Sequence, residues 1–300
     1  MPESKQPRIP MTSIGRPIDH KSPTNRAVMI VFFVALVGGL VFGVLQGLPF
    51  SAAALFGLTL GGAMFFGWML GRETDPDRWY SAFIAAAVAG AAVLLPSVPS
   101  FLVLFWLVIG LRIINRTCGE PPGMLDIPIY FGISTWLGIS THWMIPLLGF
   151  PVLLFAGFDR FPRWGAVVLT LVLPVVGIVS GFLQGWMIQL EVLTHAAAPV
   201  LSANAIALMS LPVIWSYRAV RSVGDRTGRP LEPQRVQWAI TWSVAVGLVL
   251  TLLVGVSWGE LGPLWAALLG GFIGWLFEKV RNRFLGDRSR RDIRRKISKK

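Results

Sequence analysis

The chain has 300 residues, 54% of them apolar and 14% charged, a formal net charge of +12 and a single cysteine. Its apolar residues fall in blocks of about twenty, the length that crosses a hydrocarbon layer of about 30 Å, which excludes a soluble two-domain protein. Lone Cys118 excludes an intrachain disulfide framework and a Cys-rich zinc site, and the charge does not indicate nucleic-acid binding, because eleven Lys and Arg lie in the tail Lys279–Lys300.

Residues 1–26 are polar and basic, interrupted by Pro2, Pro7, Pro10, Pro17 and Pro23. With no apolar face to fold on, they read as a disordered cytoplasmic arm. The block Ala27–Leu48 exceeds the core of a signal peptide, about 7–15 residues, so it reads as a retained first helix. Helix two follows over about Ser51–Gly71, helix three over about Tyr80–Leu95 and helix four over about Ser100–Asn115. The segment Leu125–Phe158 has basic residues on both flanks, so it crosses an even number of times. Two short helices turning near Thr141–His142 are preferred to a re-entrant hairpin. Helix seven spans about Trp164–Phe182, and Gln184–Ala196, with Glu191 and His195, reads as an interfacial helix. Helices eight, nine and ten cover about Pro199–Tyr217, Val236–Val256 and Pro263–Phe277, and the basic tail 279–300 closes the chain.

This describes an all-α, polytopic transmembrane helical bundle over residues 27–278, with about ten helices in same-orientation hairpins. Every Lys and Arg falls in the termini or in the loops after helices two, four, six and eight. The positive-inside rule therefore puts both termini and those loops in the cytoplasm, in a plasma (inner) membrane. Small residues four apart, such as Gly39, Gly43 and Gly57, Gly61, predict close helix packing. Trp106, Trp136 and Trp242 are expected to lie deep and fill gaps, while other tryptophans form an interfacial belt.

Two polar loops echo each other. Leu111–Asp126 contains Arg116-Thr117-Cys118-Gly119-Glu120-Pro121, and Arg221–Pro233 contains Arg226-Thr227-Gly228-Arg229-Pro230. Arg116, Thr117, Glu120, Asp225, Arg226 and Thr227 are the candidate substrate-binding residues, since guanidinium groups grip phosphate or carboxylate bidentately. Glu73, Asp75 and Asp77 in the loop after helix two supply the oxygen ligands that Mg²⁺ takes, a candidate metal site. The plainer alternative makes Asp75-Pro76-Asp77 a turn that caps helix three, and the arginines orientation signals at the headgroups. The Asp-rich spacing of membrane prenyltransferases is absent, so no family resemblance is drawn.

No charged residue falls in the central half of any helix, which disfavours ion-coupled transport through midplane carboxylates. Asn204, Ser180, Thr170 and Thr251 are the strongest mid-helix polar groups, each able to bond a neighbouring helix. Three functions stay open: a transporter or permease-like protein for an uncharged or lipidic cargo, which architecture slightly favours; a cytoplasmic-face enzyme acting on a lipid phosphate or prenyl diphosphate; and a non-catalytic subunit. No cofactor is identified. Expected partners are the bilayer, anionic headgroups through Lys279–Lys300, and a protein on the cytoplasmic face, but no nucleic acid.

Overall fold

Helices are the only regular elements among the described residues, apart from a lone antiparallel bridge between Val223 and Pro230. The structure, a computed structural model, describes Thr12, Ile14 and residues 22–297, apart from 96, 158–161 and 186–196. Among the described residues ten helices run in order: α1 (Pro23–Leu45), α2 (Phe50–Thr74), α3 (Trp79–Ala92), α4 (Phe101–Asn115) and α5 (Asp126–Ser140). They continue as α6 (Met144–Ala156), α7 (Arg163–Leu183), α8 (Ala197–Ser216), α9 (Pro233–Leu252) and α10 (Gly262–Ile297). Four of them, α1, α2, α7 and α9, are long and apolar enough to cross a membrane.

The segment from Leu125 to Gly157 forms two short helices, α5 and α6, joined at Thr141–Trp143, where the His142 amide donates to the Leu137 carbonyl at 3.1 Å. Their 15 and 13 residues rise about 20–23 Å, less than a full hydrocarbon layer of about 30 Å. The interfacial segment, with Glu191 and His195, and the Asp159–Arg160 pair lie outside the described residues. Helix α10 continues to Ile297 without a break at 278. The Lys- and Arg-rich sequence beyond that point favours helix by intrinsic propensity.

The bundle packs in two manners. In α1, α2, α3 and α10 glycines let backbones touch: a Cβ added to Gly39 would stand 2.7 Å from the Gly57 Cα, and one on Gly270 2.7 Å from the Ser81 carbonyl oxygen. This is how helices associate in lipid, where burying apolar surface gives no net drive. Around α4, α5, α6 and α9 the filling is aromatic. Trp106 stacks on Tyr130 with centroids 6.0 Å apart and meets Trp242 at 5.4 Å. Both indole N–H groups are satisfied, Trp106 donating to the Ser134 hydroxyl and Trp242 to the Leu148 carbonyl, each at 2.8 Å.

Trp136 departs from the expectation. It is 57% exposed on the outside of α5, because Tyr130, Ser134 and Leu137 form the buried face of that helix. Thr170 and Asn204 do not reach neighbouring helices; each donates back to the carbonyl four residues earlier, Ala166 and Val200.

Turns at alternate ends gather the charged loops at one end of the bundle. At the other end the α3–α4 and α9–α10 turns meet, where the Ser100 amide donates to the Glu260 carbonyl at 3.0 Å.

Candidate functional site

At the charged end, the five residues Glu73-Thr74-Asp75-Pro76-Asp77, running from the last turn of α2 toward α3, form the hub. Their three carboxylates reach in three directions. Glu73, 1% exposed, accepts from the Arg112 Nε at 3.0 Å and from the Thr117 hydroxyl at 2.9 Å. Its backbone carbonyl takes the Asn115 side-chain amide at 2.5 Å. Glu73 thereby fastens the end of α4 and the first Arg-Thr loop.

Asp75, equally buried, accepts from Arg78 at 3.0 Å, from the Ser81 hydroxyl at 2.6 Å and from the Tyr217 hydroxyl. It joins the start of α3 to the end of α8. Burial raises its carboxyl above the ordinary 3.8, although Arg78, Ser81 and Tyr217 all pull it down. Burial, followed by the Asp75 charge, holds the Tyr217 hydroxyl well above 10.0, so it serves as a donor. Burial works against the charge of the Arg78 guanidinium, and Asp75, Tyr217 and Glu278 together more than offset it. Arg78 also donates to Glu278 of α10 at 2.6 Å.

Asp77 accepts from backbone amides of the second Arg-Thr loop, Arg221 at 3.1 Å and Ser222 at 2.9 Å. The Ser222 hydroxyl answers by donating to the Pro76 carbonyl at 2.8 Å. The helix-capping alternative for this turn is not realised: α3 has Arg78 at its N-cap and no side-chain cap bond. Glu73, Asp75 and Asp77 do not converge, and no group of three His, Cys, Asp or Glu side chains suited to a metal occurs among the described residues.

The two echo loops touch. The Asp225 amide donates to the Thr117 carbonyl and the Arg226 amide to the Cys118 carbonyl, each at 3.2 Å. The Thr227 hydroxyl donates to the Gly119 carbonyl at 3.4 Å. Contact this close requires glycine on both sides, since a Cβ on Gly224 would overlap Gly119 and one on Gly119 would overlap Thr227. The copies differ in shape. Arg116, with φ of 52°, is the left-handed cap of α4, whereas Arg226 and Thr227 lie in a small hairpin closed by the Gly224 amide to the Arg229 carbonyl at 2.8 Å.

Arginines here serve helix ends as well. Arg116 donates to the Ala156 carbonyl at 2.9 Å, and Arg235 to the Ile114 and Phe155 carbonyls at 3.2 and 3.0 Å. A cation at a helix C-terminus satisfies carbonyls left without a partner in the helix and opposes the negative end of its dipole. Arg112 is held in its ion pair with Glu73, so it is more than an orientation signal. The N-terminal arm is drawn in at two points. Thr12 donates to Asp126 at 2.5 Å and its carbonyl accepts from Arg226 at 3.4 Å, while the Ile14 carbonyl accepts from Arg112 at 3.0 Å.

Two clefts open at this end. One, of 290 Å³, is lined by Arg72, Pro76, Thr117, Arg221, Ser222 and Asp225, among others. The other, of 470 Å³, lies between α8 and α10. Of the candidate residues, Thr117 and Asp225 line the smaller cleft, Arg116 caps α6, and Glu120 sits half-buried in its loop. Arg72, Arg221, Ser222, Arg78, Tyr217 and Glu278 were not singled out by sequence. The local signals were the Asp75/Arg78 and Asp75/Ser81 spacings of three and six; the other pairings join residues 39 to 200 apart. Compared with protein-family models, curated proteins and solved structures, the chain matches none.

Proposed function

We propose that the protein is a multi-pass inner-membrane protein of ten crossings, with both termini and the hub loops in the cytoplasm. Its loop platform docks a phosphate-bearing group without turning it over. The helices and their exposed apolar faces support the membrane setting: Phe33, Val37 and Val41 on α1, and Leu171, Val175 and Ile178 on α7, all stand exposed. Such surface is costly in water and suited to lipid.

The observation that carries the binding reading is the 290 Å³ cleft with Arg72 and Arg221 on its walls. Its volume is at the lower end of small-molecule sites, about 300–1,000 Å³. The Thr117 and Ser222 hydroxyls already donate inward, so the charge on the cleft walls comes from guanidinium groups, that of Arg72 held over the Trp68 ring and that of Arg221 reaching solvent. The Arg221 side chain is 83% exposed and 3.6 Å from Glu278. Planar guanidinium pairs bind phosphate oxygens two at a time.

Binding is favoured over catalysis because a lipid-phosphate enzyme needs a carboxylate available for metal or proton transfer. Glu73, Asp75 and Asp77 are each committed to the fold. Transport of an uncharged or lipidic cargo rests on architecture alone, and Trp106, Tyr130 and Trp242 fill the middle of the bundle.

Calorimetric titration of the purified full chain with inorganic pyrophosphate tests the reading. Saturable binding is expected, weakened about tenfold or more in an Arg72→Ala/Arg221→Ala variant, as loss of charge-assisted bonds implies. Heat without saturation, or equal binding by the variant, would overturn it.

A further inference from the structure

The larger cleft has the shape and charge of a lipid site. It lies between the C-terminal end of α8 and the middle of α10, beyond Gly271, where an added Cβ would stand 3.9 Å from Val213. One wall is Pro212, Trp215 and Ser216 of α8; the other is Trp275, Glu278, Lys279 and Asn282 of α10, with Arg78 at its floor. Trp275, Lys279 and Asn282 are spaced i, i+4, i+7, one face of the helix. Its 470 Å³ falls within the range of ligand sites, about 300–1,000 Å³.

The charge is unbalanced toward positive. Asp75 and Glu278 share Arg78, at 3.0 and 2.6 Å, and Arg221 faces Glu278 at 3.6 Å, so these two carboxylates are matched by two arginines. Lys279 lies over the Trp275 ring, 4.7 Å from its centroid, and makes no ion pair among the described residues. A cation held against the ring on the wall of a cleft, beside the Asn282 amide, offers donors to an anion. Apolar side chains precede the cleft on both helices. Leu208 and Leu211 lie two turns and one turn before Trp215 on α8 and are exposed; Phe272 stacks on Trp275 at 5.9 Å on α10. Trp215 itself is 67% exposed, the placement of a tryptophan at a membrane–water boundary.

We infer that this groove holds one phospholipid, its phosphodiester against Lys279 and Asn282 and an acyl chain along Leu208, Leu211 and Phe272. The inference rests on the membrane setting proposed above, with this end of the bundle at the inner leaflet, but not on the Arg72–Arg221 cleft. Lys279 supplies the charge, and Trp215 and Trp275 flank the glycerol region. These apolar side chains distinguish an esterified phosphate from a free one.

Native mass spectrometry of the full chain, released from mild detergent with added phosphatidylglycerol, tests this directly. One tightly held lipid per chain is expected, with affinity lowered about tenfold by Lys279→Glu and less by Asn282→Ala. Inorganic phosphate in excess should leave the lipid bound, and a phosphatidylglycerol with short acyl chains should bind more weakly. Arg72→Ala, in the other cleft, should bind lipid like the wild type. Unchanged affinity in both α10 variants overturns the site, as does displacement by inorganic phosphate, which would make the occupant a free anion. Carbonate extraction separates the two failures: a chain that leaves the membrane fraction overturns the setting, whereas one that stays there with no held lipid overturns the groove alone.

Discussion

The two Arg-Thr loops share a sequence pattern, contact each other, and are held by different means. The first, after α4, is fastened through side chains: Glu73 takes the Arg112 guanidinium and the Thr117 hydroxyl in a buried setting. The second, after α8, is fastened through its backbone: Asp77, half-buried, takes the Arg221 and Ser222 amides. Two carboxylates four residues apart, one in the last turn of α2 and one in the loop after it, thus hold two similar segments, one by its charge partner and one by its main chain. The buried ion pair is strongly dependent on both members being present. The backbone anchor tolerates any acceptor of the right reach.

That contrast sets the largest expected effect. Glu73→Gln leaves the Arg112 charge in a mostly buried site without its partner, at a cost of about 3–5 kcal/mol. Asp77→Asn keeps an oxygen that can accept from an amide, so its cost is about 1 kcal/mol. Reversible unfolding of both variants in mixed micelles measures the difference. Equal losses would mean that the two anchors are not distinct in kind.

Helix positions and the clustering of charge at one end follow from signals that survive in one dimension. Apolar runs mark α1, α2, α7 and α9, and glycines four apart mark the α1–α2 contact. The use of the carboxylates did not follow. Glu73, Asp75 and Asp77 within five residues resemble a ligand set, and only three-dimensional placement shows Arg112, Tyr217 and the Arg221 amide arriving at them from elsewhere. Tyr217 ends an apolar helix 142 residues from Asp75; no local pattern pairs them. Trp136 was misplaced for a related reason: periodicity locates a helix, but the partner on each side decides which face is buried. The docking of Thr12 and Ile14 was hidden because a polar arm without an apolar face carries no signal of where it binds.

The junction between the loops gives a second, smaller test. Gly119, with φ of +82°, also lies against Thr227 where a Cβ would go. Gly119→Ala therefore meets both left-handed strain, about 1–2 kcal/mol, and overpacking, about 1–3 kcal/mol. Gly228 has a φ of +62° with open space around it, so Gly228→Ala meets only the strain, about 1–2 kcal/mol. Unfolding measurements on the two variants should rank Gly119→Ala as the costlier. The reverse order would place the critical contact within the second loop instead of between the two.

The smallest effect concerns Asp75, which stands between the two anchors and belongs to neither loop. Burial raises its carboxyl above the ordinary 3.8, so the folded chain keeps a proton at a pH where the unfolded chain has lost it. Stability from this group is then fully present below the unfolded value and is lost as the pH rises through the folded one. Asp75→Asn removes the titration while keeping an acceptor for Ser81 and Tyr217. The wild type should therefore compare best with the variant at the acid end of the window and lose ground as the pH climbs from the ordinary value through the raised one. Thermal midpoints of both proteins across that window, in one detergent, give the comparison. A difference that grows in favour of the wild type with rising pH would show the Arg78 pair outweighing burial, making Asp75 an anchor of the same kind as Glu73.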